Sequence, residues 1–159
     1  GAVFEQYFQE IDKVKGQKGV LSVEKKLFVE TNNGTNRQIR PVTPEQPLRI
    51  GDKVIVRLTI RTDREMNYVF LKDLRAGCFE PADQLSGPES RDGIWYYRSP
   101  KDVSENFFIN RLPEGTFVLE YPVYVSRSGE YAGGISTIQC MYAPEFVSHT
   151  AGESLRIMP

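Results

Sequence analysis

The stretch Lys53-Val54-Ile55-Val56-Arg57-Leu58-Thr59-Ile60-Arg61 decides the fold. Val54, Val56, Leu58 and Ile60 occupy alternate positions, and Lys53, Arg57, Thr59 and Arg61 fall between them. Period-two alternation gives one row to a core and the other to water, as in a strand of an antiparallel sheet. Phe117, Leu119, Tyr121, Val123 and Val125 repeat the pattern over a longer span. Leu21, Val23, Leu27 and Val29 repeat it again, with Lys25 breaking the apolar row. An inward lysine reads as a device that blunts an edge strand.

Weaker runs lie between these three: Asn67 to Asp73, Ile94 to Arg98, Asn106 to Leu112, Ile135 to Tyr142 and Ser154 to Ile157. Turn-forming residues separate them. Thr31-Asn32-Asn33-Gly34 offers an Asn-Gly pair that tolerates positive φ and predicts a hairpin. Pro113-Glu114-Gly115 and Ser128-Gly129-Glu130 punctuate in the same way. About eight or nine short strands at this spacing predict an all-β, antiparallel two-sheet sandwich. Pro122, inside the best strand, cannot donate to a ladder, so a bulge or an unpaired edge is expected there. The polar stretch Pro81 to Gly93 reads as the longest loop, suited to a contact surface or to disorder. Phe4, Phe8 and Ile11 are spaced for a helix, while Val3, Glu5 and Tyr7 alternate, so the first 15 residues fit either helix or strand. Lys13 to Gly19 reads as a linker, and the sandwich begins near Val20.

Composition narrows the function. The chain has 159 residues, 40% hydrophobic and 26% charged, which suits one domain with a real core. Its net charge is −1 with Lys and Arg scattered. A nucleic-acid binder shows a basic stripe, because phosphate neutralisation supplies much of its affinity, and none is visible. No apolar run approaches the roughly 18 residues that cross a bilayer. The chain starts at Gly1 without methionine, as a cloned fragment or a processed product would.

The parts for catalysis are missing. His149 stands beside a serine and a threonine without a paired base and orienting acid, and reads as a surface or packing residue. Gly133-Gly134 fits a strand kink or bulge better than a ligand cradle. Asp63, Glu65 and Asp73 lie near the ends of one predicted hairpin. Arg61, Arg64, Lys72 and Arg75 beside them favour solvated ion pairs over a carboxylate pair for glycoside chemistry. Asp83, Glu89 and Asp92 lack the ligand spacing of a calcium loop. Trp95-Tyr96-Tyr97 offers a sugar-stacking platform, though aromatics of this kind more often fill sandwich cores. Cys78 and Cys140 cannot make a zinc site with His149 alone. They are either buried free thiols or one bridge across a long loop, worth about 3–4 kcal/mol in an oxidising compartment. No metal or cofactor is expected.

Four stretches go beyond generic sandwich pattern: Thr62-Asp63-Arg64-Glu65-Met66-Asn67-Tyr68-Val69, Ala76-Gly77-Cys78-Phe79-Glu80-Pro81, Arg111-Leu112-Pro113-Glu114-Gly115-Thr116-Phe117, and Gln139-Cys140-Met141-Tyr142-Ala143-Pro144-Glu145-Phe146. In this order they resemble the C-terminal macroglobulin-like domain of bacterial α2-macroglobulin family proteins, most closely the Bacteroides-type relatives. The resemblance covers about Val20 to Met158. It implies residues 20–159 as a macroglobulin-like sandwich and residues 1–19 as the remnant of a preceding domain plus linker. Phe4, Tyr7 and Phe8 would then form an exposed aromatic scar.

The resemblance also implies a non-catalytic end domain of a secreted, often lipid-anchored envelope protein that acts as a protease trap. Its partners would be the thioester-bearing helical domain of the same parent and, through the parent, proteases. In thioester-bearing members a Met-Tyr turn shields the bond from water. That role would fall to Met141 and Tyr142, presented beside Pro144. A soft Met next to a flat Tyr can exclude water. The alternative is that both pack in this domain's own core. The rival function is a free-standing carbohydrate-binding or adhesion module using Trp95, Tyr96 and Tyr97 or the Pro81–Gly93 loop.

Overall fold

The computed structural model describes residues 20–34, 36–82, 87–91 and 93–159. The expected remnant and linker over residues 1–19 lie outside the described residues, as do Asp83 and Asp92. Fourteen strands and no helix occur among the described residues. In chain order they are β1 (Leu21–Asn33), β2 (Asn36–Pro41), β3 (Leu48–Arg49), β4 (Lys53–Thr62), β5 (Met66–Leu74), β6 (Phe79–Pro81) and β7 (Gly87–Arg91). There follow β8 (Ile94–Pro100), β9 (Ser104–Leu112), β10 (Gly115–Val125), β11 (Gly129–Ala132), β12 (Ser136–Cys140), β13 (Val147–His149) and β14 (Ser154–Met158).

They form a five-stranded sheet, β2-β1-β4-β10-β6, and a six-stranded sheet, β13-β12-β5-β9-β8-β7, with a small third sheet, β11-β14-β3. Only the β14–β3 pairing is parallel among the described strands. The deciding stretch became β4, the central strand of the first sheet, and its inward row Val54, Val56, Leu58 and Ile60 is fully buried. Leu71, Phe107 and Ile138 from the second sheet meet it in one core. Each such side chain removed from water contributes about 1.5–3 kcal/mol.

The alternating runs located the long strands. The six others, β2, β3, β6, β7, β11 and β13, are short or polar and carry little period-two signal. One of them, β7, lies inside the expected Pro81–Gly93 loop and pairs with β8 as a hairpin. The Asn-Gly hairpin is present: Asn33 pairs with Asn36, and Gly34 takes φ 74°. Pro122 pairs in register with Ile55 on the β4 side, without a bulge. Its carbonyl accepts from the Ala82 amide on the other side, so its ring nitrogen faces the flank where β6 ends. The missing donor therefore falls at the end of the β6 pairing, outside the β4 ladder.

Two expectations, on Lys25 and Asp73, need correction, and the cysteines match one of the two states left open. Lys25 does point inward, but it is no mere edge guard. Its ammonium donates to Asp73 at 2.7 Å and to the carbonyls of Gly134 at 2.9 Å and Leu74 at 3.2 Å. Asp73 is not a solvated partner of its sequence neighbours. It is fully buried and also accepts from Ser136 Oγ at 2.7 Å and from the Tyr121 hydroxyl. Cys78 and Cys140 are separate buried thiols, and no bridge joins them. Cys140 stands opposite Val69 near the start of β5, while Cys78 follows the end of that strand at Leu74.

Gly133-Gly134 marks a close approach of backbones. A Cβ on Gly134 would sit 1.7 Å from the Leu74 carbonyl oxygen. Only a residue without a side chain fits there. No helix of the described residues is long and apolar enough to cross a membrane.

Candidate functional site

The turn after β12 carries the residues singled out for shielding. The Cys140 amide donates to the Phe146 carbonyl at 3.0 Å, and the Phe146 amide to the Ala143 carbonyl at 2.9 Å. These bonds close a compact loop whose tip is Met141-Tyr142. Met141 is 53% exposed and Tyr142 80% exposed, so neither packs in the domain's own core. Pro144 is exposed beside them. The tip is nonetheless fixed. The Met141 amide donates to the Tyr68 carbonyl at 2.8 Å, extending the β12–β5 ladder by one residue. The Tyr142 ring meets the Tyr68 ring at 4.9 Å and 85°, the edge-to-face arrangement that aromatic quadrupoles prefer. Below the tip, half-buried Phe146 packs on the core and carries the Arg64 guanidinium 5.2 Å from its ring.

A second exposed aromatic row crosses the outer face of the same sheet. Along β8 the chain alternates, so Tyr96 is buried while Trp95 and Tyr97 face out, Trp95 being 71% exposed. Core filling thus accounts for Tyr96 alone, which corrects the reading of the three as core residues. Tyr97 pairs across to Phe108 on β9, and Phe108 stacks on Phe70 of β5 at 4.8 Å. A shallow groove of about 380 Å³ runs past Gly93, Trp95, Tyr97, Phe108, Asn110 and Arg111.

The remaining candidates hold structural roles. Asp63 pairs with Arg64 at 2.9 Å, and Glu65 with Arg111, as exposed ion pairs. Glu89 lies on β7, accepting from the Tyr96 hydroxyl at 3.0 Å. His149 ends β13 opposite Thr137. No group of three His, Cys, Asp or Glu able to hold a metal occurs among the described residues.

The sequence reading missed a buried ion cluster. Glu105, fully buried on β9, accepts from Arg98 Nε at 2.7 Å and from Arg75 Nη2 at 2.9 Å. Burial pushes the Glu105 carboxyl up, and the two guanidinium groups pull it back only in part. Arg75 also donates to the carbonyls of Lys101 and Asp102, pinning the β8–β9 turn. Arg98-Ser99-Pro100-Lys101-Asp102, the end of β8 and the turn after it, looks like any charged turn in sequence, so no local signal marked it. Burial, then the facing Asp73, raises the Tyr121 phenol well above its ordinary value, so it stays a donor.

A family model described as "Bacterial Alpha-2-macroglobulin MG10 domain" matches residues 21–145. Among solved structures, a Salmonella alpha-2-macroglobulin reacted with methylamine is similar over 88% of this chain and 9% of its own. It shows 22% identity and a TM-score of 0.67. The native Escherichia coli alpha-2-macroglobulin, from domain MG7 to the C-terminus, matches 88% of this chain and 24% of its own. Its identity is 17% and its TM-score 0.67. These two likenesses concern the fold. A Dictyostelium discoideum protein named "Circularly permutated Ras protein 2" is 28% identical over 109 residues, 69% of this chain and 3% of that protein. The chain thus spans a small part of each relative.

Proposed function

This chain belongs to the bacterial alpha-2-macroglobulin MG10 domain family, and from that premise we propose that it is a non-catalytic packing domain of a longer protease-trap protein of the cell envelope. In this reading it is the C-terminal module of a Bacteroides-type parent, and its tip docks on the parent's thioester-bearing helical domain. The observation that carries the proposal is the exposed yet doubly anchored Met141-Tyr142 tip. Two large apolar side chains held out in water are costly for an isolated domain and suit one that meets a neighbour. A thioether and a phenol ring pressed over an acyl-sulfur bond would keep water from its carbonyl carbon until a protease triggers release.

The test is methylamine incorporation at an upstream glutamine of the full parent, followed by thioester hydrolysis rates in Met141→Ala and Tyr142→Ala. Faster hydrolysis in both variants supports shielding. Incorporation with unchanged rates removes the shielding role. No incorporation at all makes the tip a plain interdomain contact.

The exposed row of Trp95, Tyr97 and Phe108 favours a second reading, a carbohydrate-contacting face, since planar aromatics stack on sugar rings. Glycan-array binding that disappears in Trp95→Ala would support it; a blank array would leave that row as a further interdomain contact.

A further inference from the structure

Among the described residues, Tyr68 is the one non-glycine with positive φ, at 59°. Left-handed backbone crowds the Cβ of any L-residue, and a bulky residue there is an outlier. The position is odder for lying in β5. The ladder to β9 pairs Asn67 with Arg111 and Val69 with Ile109 in one unbroken register, and Tyr68 is the position it passes over without pairing. Strained backbone of this kind persists only where its surroundings hold it, and it collects at binding and switch sites.

The turned residue makes two contacts with the tip. Its carbonyl stays in the β12 ladder and accepts from the Met141 amide at 2.8 Å. Its ring, half exposed on the outer face, stands edge-to-face with Tyr142. One residue therefore grips Met141 by main chain and Tyr142 by ring. The flanking contact works in the same direction, for the Cys140 thiol donates to the Asn67 carbonyl at 3.5 Å.

We infer that Tyr68 is the positioning residue of the Met141-Tyr142 tip, its left-handed backbone and its ring together setting the angle at which Tyr142 meets a partner. Its functional meaning rests on reading that tip as a docking surface. The positioning itself is tested without the parent.

In the 159-residue chain, Tyr68→Phe keeps the ring, while Tyr68→Asn keeps a residue tolerant of left-handed φ and removes the ring. Tyr68→Gly serves as a second ringless variant should the asparagine variant fold poorly. The readouts are the ¹⁵N heteronuclear NOE of Met141 and Tyr142 and the ring-current shift of the Tyr142 ring protons. The expected result is a wild-type tip in the phenylalanine variant. In the ringless variants the NOE falls and the ring-current shift vanishes while the far-residue spectrum is retained. A tip as ordered in both ringless variants as in wild type would overturn the inference, as would a phenylalanine variant as loose as they are.

In the parent, Tyr68→Asn should raise the methylamine reaction rate by about 2- to 10-fold, the factor an aromatic pair of ordinary strength allows. Acceleration by Tyr142→Ala without any by Tyr68→Asn sinks the inference and leaves the shielding reading standing. No acceleration by either, with the NMR result intact, sinks the shielding reading and leaves the positioning role.

Discussion

The ammonium of Lys25, on β1 of one sheet, lies 2.7 Å from the carboxylate of Asp73, on β5 of the other. The sandwich is thus joined through its interior by an ion pair as well as by apolar packing. Ser136 and Tyr121 complete the shell of Asp73 from β12 and β10. Breaking one partner of a buried pair leaves a charge without compensation, which is far costlier than never having had the pair.

Lys25→Met should therefore lose about 3–5 kcal/mol of folding stability, read as a lowered urea midpoint. Adding Asp73→Asn should recover part of the loss, because the uncompensated charge goes with it. Tyr121→Phe removes one donor only and should cost about 1–3 kcal/mol.

Two carboxylates should respond oppositely to acid. The Lys53 ammonium, 2.8 Å from Glu30, together with Arg37, holds the Glu30 carboxyl below its ordinary 4.5. A lowered folded value gives stability that is present above the ordinary value and lost as pH falls through the lowered one. Glu30→Gln should accordingly be less stable than wild type at neutral pH, the gap closing on acidification from about 4.5 downward. Burial raises Glu105, so its ionised form weighs against the fold at neutral pH and that cost fades as pH falls through the raised value. A ¹³C carboxyl titration should place the Glu105 midpoint above that of Glu30.

Gly134→Ala should be severe, since its Cβ would collide with the Leu74 carbonyl and backbone cannot move aside cheaply. A loss of about 3 kcal/mol or more is expected. Gly152→Ala is the control, because its Cβ would find neighbours at an ordinary 3.5 Å. It should stay within about 0.5 kcal/mol of wild type. Denaturation of the two variants side by side checks both.

Both cysteines should remain reduced and protected. Burial raises the Cys78 thiol, and thiolate is the reactive form. Mass spectrometry after iodoacetamide should show no adduct on the native domain and two adducts after guanidine, with no reductant needed.

Much of this architecture was legible in the sequence because β1, β4 and β10 each bury one face and expose the other, which writes a period of two. The short strands were not, because two to six residues hold too few alternations to stand out. Polar burial was illegible for a different reason. Asp73 and Glu105 sit in runs of charge that look like surface, and their partners are distant in sequence or on another strand: Lys25 from the facing sheet for Asp73, Arg98 and Arg75 from the same sheet for Glu105. The Met141-Tyr142 motif could be singled out in sequence, but its exposure could not, since a Met-Tyr pair before a turn suits core and tip alike. For Trp95-Tyr96-Tyr97 alternation fixed that neighbours face opposite ways, and left open which of them faces water. Nothing in Asn67-Tyr68-Val69 announces a left-handed tyrosine.

The Lys25–Asp73 contact also acts as a check on alignment. If β1 slid by one residue along β4, Lys25 would turn to solvent and Asp73 would face the core without its counter-charge. A slide by two would set Val23 or Leu27 against it, with the same result. Apolar rows alone resist the slide by one but tolerate the slide by two, because one branched side chain fills much the same space as the next. A misaligned chain is therefore marked by an unanswered charge and has reason to come apart and try again, so that a domain of many interchangeable strands arrives at one arrangement.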